Sequence, residues 1–271
     1  MENRTDLELY EDAQKFLGTS LNLLEFLIVG YGSVSVREET DLTRDNILHD
    51  YVYFCISKAT RSMIAANILQ TEGMNEDVKI ITRAAYECYI NGMYACNVLE
   101  DLDKLVRAKI GVYMGHYEHP LSKKGKMQWN KIIDPETGKE FEYTLSISHM
   151  SQNTGVKLDG DVHKQLYSFL SEFVHVHMIA AGSYRDPCNT NYRPINNYKG
   201  LFTITIQVYV TVLILDLLDR HTEVDEEDLD HFLRVKNYGA RLVEELCSCM
   251  DFADNIKDLK IQLVERMKSN I

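Results

Sequence analysis

The chain has 271 residues, 45% of them hydrophobic and 26% charged, and carries a formal net charge of −12. It is too apolar for a disordered chain and long enough to bury a sizeable core. The acidic excess denies the whole molecule a field that would attract nucleic acid or an anionic membrane, so any such contact must come from a local basic patch.

Only 4 prolines and 14 glycines punctuate the chain, a spacing that favours long helices over many short strands. Leu7 to about Val29 places apolar residues at helical intervals, and Gly30 to Gly32 break the pattern. A second helix is expected from about Asp45 to Thr71, capped by Thr43 or Asp41 and ended at Gly73. Asn75, Glu76 and Asp77 supply an N-cap and acidic first turn for a third helix, and the tight connection predicts an antiparallel hairpin. Leu99 to Met114 continues as a further helix.

From Gly115 to about Asp159 the pattern dissolves into turn signals, with a short strand or hairpin arm within Glu140 to Ile147. The next helix starts at Gly160 and Asp161, carries Leu166, Phe169, Leu170 and Phe173, and is expected to run to about Gly182. Ser183 to Gly200 is a second polar excursion. Leu201 to Leu218 approaches the length of a membrane span, but Thr203, Thr205, Gln207 and Thr211 interrupt it, so a buried central helix is expected. Thr222 is the expected cap for a helix from about Glu226 to Met250, and a last helix takes Asp251 to Lys268.

The polar residues that break these patterns are the candidate chemistry. Arg83 and Glu87 lie one turn apart on a helix that is otherwise almost wholly apolar, so partners elsewhere must compensate them. Ser171 and His175, about ninety residues on, have the same four-residue spacing. If the two helices pack, an arginine able to hold a phosphate or carboxylate meets a histidine able to act as acid or base. The bland alternative is a saturated polar network that fixes helix register. His175 and His177 point about 200° apart on a helix and cannot share one metal. His116 and His119 lack further ligands, so no metal is expected. No phosphate-cradling glycine loop is present, so no cofactor is expected either. Lys123, Lys124, Lys126, Trp129 and Lys131 make a small basic, aromatic patch that could meet nucleic acid or simply solubilise a loop. Of the six cysteines, Cys247 and Cys249 match neither zinc nor redox spacing, and the polar first residues lack a signal peptide's apolar core; a reduced cytoplasmic protein is the expectation.

The runs Ser57–Arg61, Ala65–Leu69, Gly73 and Ile80–Glu87, together with Ser171–His175, resemble a bacterial family of uncharacterised helical proteins with an Arg-x-x-x-Glu helix hairpin and a later Ser-x-x-x-His helix. The resemblance covers roughly Asp45 to Met178 and implies an all-helical domain of unknown function; its two motifs fall on Arg83 and Glu87 and on Ser171 and His175. A looser resemblance is to the HEPN superfamily, many of whose members are metal-independent ribonucleases in defence and toxin systems. The active HEPN motif, Arg followed after four to six residues by His, is matched here only by Arg44 and His49, at the start of the second helix rather than on a late one.

The expectation is therefore an all-α helical bundle, one domain over residues 1–271 with irregular insertions at about 115–159 and 183–200. Its expected role is that of a binding or regulatory module, with a ribonuclease or nucleotide-processing effector as the alternative. A ligand or protein is the expected partner, RNA and self-association stay open, and no membrane partner is expected.

Overall fold

The computed structural model describes residues 4–33, 43–135, 137–175, 180–185, 188, 191–193, 200–252 and 256–269. Helix α1 (Asp6–Tyr31) begins at a capping box: Thr5 accepts from the Glu8 N–H, and the Glu8 carboxylate accepts from the Thr5 N–H at 2.8 Å. Its inner stripe, Leu9, Ala13, Phe16, Leu17, Leu24 and Leu27, is fully buried or nearly so. Helix α2 (Arg44–Thr71) is capped by the Thr43 hydroxyl, which accepts from the Asn46 N–H; the alternative cap, Asp41, lies outside the described residues. Gly73, in the left-handed region at φ 77°, turns the chain into α3 (Asn75–Asn97). The two helices pack along their length as the expected hairpin.

The expected N-cap of α3 falls one residue off. Met74 holds the cap position without a side-chain bond, while Asn75 is already helical and its Oδ1 accepts from Gln70 Nε2 at 2.9 Å. The helix expected over Leu99–Met114 is broken into a 3-10 turn (Leu99–Asp101), α4 (Leu102–Leu105) and α5 (Arg107–Tyr113). Residues 115–145 carry β1 (Lys131–Ile133) paired antiparallel with β2 (Glu140–Glu142). Ile132 and Tyr143 bury against Ala108 of α5 in a small core of their own, so this excursion is folded onto the bundle rather than loose.

After α6 (Ile147–Ser151), helix α7 runs over Lys157–Ser171, starting earlier and ending earlier than expected. Its last N–H groups switch to three-residue bonds, Glu172 to Phe169 and Val174 to Ser171, the tightening that ends a helix. Residues 180–184 form a 3-10 turn, and much of the second excursion lies outside the described residues.

Helix α8 (Leu201–His221) packs against α1, α2 and α3 and against α9 (Glu226–Cys249). Among the described residues it alone is long and apolar enough to cross a membrane, and 83% of its most apolar stretch is buried inside the bundle. Its interrupting residues, Thr203, Thr205, Gln207 and Thr211, are all buried, and Thr205 returns its hydroxyl proton to the Leu201 carbonyl at 2.7 Å. Thr222 does not cap α9. It closes α8 and bonds the Tyr53 hydroxyl at 2.7 Å, while Asp225 takes the cap position. Helix α10 (Lys257–Lys268) then packs against α7 and α9. One contiguous apolar core takes residues from every helix but α5, and the fold is an all-α bundle with a two-stranded ornament.

Candidate functional site

Arg83 lies on the flank of α3 that meets α7. Its Nε donates to Glu87 Oε1 at 3.0 Å and its Nη2 to the Tyr167 hydroxyl at 2.6 Å. The guanidinium carbon also lies 4.4 Å from the centre of the Tyr167 ring. The pair is partly wet, with Arg83 18% and Glu87 33% exposed, so neither charge carries the full penalty of burial. Tyr167, one turn before Ser171, is thus the partner that α7 delivers.

Ser171 and His175 do not join this pair as expected. Because α7 ends at Ser171, the two residues share no helical face. The Ser171 hydroxyl donates back to the Tyr167 carbonyl at 2.6 Å, and His175 lies beyond the helix end, exposed. His177 lies outside the described residues. Arg44 is exposed at the first turn of α2, whereas His49 packs 4.6 Å from the Tyr53 ring and 5.4 Å from that of His221. The two point away from each other, as a five-residue helical interval requires.

Glu87 also borders a groove of about 380 Å³ between α2, α3 and the α4–α5 segment. Lys58 of α2 and Lys109 of α5 are among its lining residues, as are Asn91 and Tyr51. These two are fixed by each other: Tyr51 donates to Asn91 Oδ1 at 3.1 Å, and Asn91 Nδ2 donates to the Glu87 carbonyl at 2.7 Å. The remaining lining is mostly apolar, including Cys55, Cys88, Leu105 and Val106. Burial raises the pKa of the Cys55 thiol well above its ordinary value and that of the Cys88 thiol in the same direction, so neither is poised as a nucleophile. A mostly apolar concavity with a few convergent polar groups is the ordinary form of a small-molecule site.

A second polar cluster, which the sequence did not disclose, is centred on a fully buried arginine. Arg266 of α10 is 0% exposed; its Nε donates to Asp159 Oδ1 at 2.7 Å, and its Nη2 to the Tyr89 hydroxyl at 2.8 Å and to Asp216 Oδ2 at 2.7 Å. Tyr89 in turn donates to Asp159 Oδ2 at 2.8 Å. Lys236 of α9 completes the set with ion pairs to Asp216 and Asp219. Burial disfavours the Arg266 charge, but Tyr89, Asp159, Tyr209 and Asp216 outweigh it and hold the guanidinium protonated. Five helices, α3, α7, α8, α9 and α10, meet there, which makes it a structural hub. A signal was available: Arg266 falls on the apolar stripe of Leu259, Leu263 and Met267, and Asp159 on that of Val162 and Leu166. Among the described residues no group of three metal-ligating side chains occurs.

A family model described as a family of unknown function (DUF5677) matches residues 49–192, which takes in most of α2, all of α3 and α7, and the Arg83–Glu87–Tyr167 contact. Neither a comparison with curated proteins nor one with solved structures returns a match.

Proposed function

The chain belongs to the DUF5677 family, and from that premise we propose that it is a helical binding module whose groove between α2, α3 and α5 takes a small amphipathic anion. One observation carries the reading: Lys58 and Lys109 both line a mostly apolar groove, beside the Arg83–Glu87 pair, in a chain whose net charge is −12. Two ammonium groups suit a carboxylate, sulfonate or phosphate, and the floor suits an apolar body. In a bacterial defence or toxin system, the setting implied by the resemblance, such a module would sense a small signal. Binding is favoured over catalysis because the groove's thiols are held protonated and His49, the HEPN-like candidate, has no arginine partner among the described residues.

The test uses 1-anilinonaphthalene-8-sulfonate, an amphipathic anion that fluoresces when desolvated. The parent should bind it saturably and bind its uncharged analogue N-phenyl-1-naphthylamine more weakly. Lys58→Glu with Lys109→Glu should weaken the sulfonate at least about tenfold while leaving the helical circular dichroism unchanged. Equal binding by the parent and the double variant would overturn the assignment. Metal-independent cleavage of RNA by the parent, lost in His49→Ala, would favour the ribonuclease instead.

A further inference from the structure

The basic, aromatic patch is used by neither the groove nor the buried hub, and it is built as a surface. Residues 120–128 close on themselves. Leu121 and Met127 are bridge partners, the Ser122 N–H donates to the Lys126 carbonyl at 2.7 Å, and the Gln128 N–H donates to that of Pro120 at 2.9 Å. Gly125, at φ 71°, allows the turn, and the Ser122 hydroxyl accepts from the Lys126 N–H. The bridge puts Leu121 and Met127 on one side, 62% and 45% exposed, and Trp129, in the turn that follows, is 67% exposed. The His119 ring, with its Nδ1 2.7 Å from the Lys131 carbonyl oxygen, stands edge-on to Trp129 at 4.9 Å and steadies the indole. The stretch from His119 through Lys131 holds four lysines and no acidic residue, in a chain of net charge −12.

We propose that this hairpin docks the protein peripherally on an anionic lipid surface. Charge complementarity supplies the attraction, since each lysine brought near anionic headgroups strengthens binding about fivefold. The apolar side chains select lipid over the rival polyanion, single-stranded nucleic acid. Bases would use the Trp129 face but leave Leu121 and Met127 without a stacking partner, whereas the headgroup–acyl boundary accommodates all three and favours tryptophan. The backbone bonds that close the turn at Ser122, Gly125, Lys126 and Gln128 leave fewer polar groups to be stranded where the tip meets that boundary. No spanning segment is needed.

The full chain should cosediment with vesicles of phosphatidylcholine mixed with phosphatidylserine, and not with phosphatidylcholine alone. Trp129 is the only tryptophan, so its emission should shift to shorter wavelength on binding. The triple variant Lys123→Glu/Lys124→Glu/Lys126→Glu should bind at least about a hundredfold more weakly. Leu121→Ser with Met127→Ser should reduce the spectral shift. The triple variant changes only exposed side chains and leaves Ile132 and Tyr143 in place, so unchanged circular dichroism should accompany its loss of binding. Absence of cosedimentation by the parent, or undiminished binding by the triple variant, overturns the proposal. So does quenching of Trp129 by oligouridylate at concentrations where vesicles leave its emission unmoved; that result would assign the patch to nucleic acid.

Discussion

At the scale of single residues, Arg266 and His163 show what burial does to a polar group, with opposite outcomes. Arg266 stays charged because two carboxylates and a tyrosine saturate it. Arg266→Met should therefore destabilise the fold by about 3–5 kcal/mol in urea unfolding, since Asp159 is left charged, buried and short of a partner. His163 is 4% exposed and stacked between Tyr167 at 4.6 Å and Tyr86 at 6.0 Å, and burial lowers its pKa from 6.5 to about 4. Between those values the unfolded chain binds the extra proton, so the contribution is complete above about pH 6.5 and is lost as the pH falls toward 4. The parent should be less stable at pH 5 than at pH 7 by roughly 1–3 kcal/mol. His163→Phe keeps the stack and removes the titration, so urea melts at the two pH values should differ less. Part of the difference should persist, because burial beside His49 depresses His221 in the same direction.

At the scale of elements, Gly92 sets how closely α3 approaches α8. A Cβ there would lie 2.5 Å from Leu217 Cδ2 and 3.4 Å from the Cys55 Cβ of α2. Alanine in place of glycine gains up to about 1 kcal/mol of helix propensity, while overpacking such a junction costs about 1–3 kcal/mol. Gly92→Ala should lower the thermal midpoint, because both Leu217 methyls would be crowded, at 2.5 and 3.1 Å, and that side chain is fully buried with little room to withdraw. The end of α7 is an element-scale matter too. The apolar spacing continues past Ser171 to Phe173 and Ile179, so a reading by periodicity extends the helix, whereas the chain leaves it at Glu172. Phe173 nonetheless stays buried, with the Lys79 ammonium 4.0 Å from its ring centre. Burial of an apolar residue does not require that it be helical.

For the whole molecule, the family-matched residues 49–192 share their main core with helices outside the match. Val208, Val212, Leu215 and Leu217 of α8 are buried among α1, α2, α3 and α9, and Asp159 takes its cation from α10. A fragment of residues 49–192 expressed alone should lack a cooperative thermal transition by circular dichroism, whereas the full chain should show one. A sharp transition in the fragment would show that the later helices are an addition to a self-sufficient unit.

The sequence by itself determined the all-α class, the α2–α3 hairpin, the central place of α8 and the pairing of Arg83 with Glu87. All of these follow from spacings within a turn or two of helix, or from a run too apolar to face water. Only the tertiary structure decided that Tyr167 completes the Arg83 contact, that Ser171 turns back on its own helix, and that His175 stands outside it. It alone assembled the hub of Tyr89, Asp159, Asp216 and Arg266, whose members are separated by up to 177 positions. The reason is physical: helix periodicity is written locally, whereas the partner of a buried charge is chosen by whichever helices pack around it, and that choice leaves no short-range pattern in the chain.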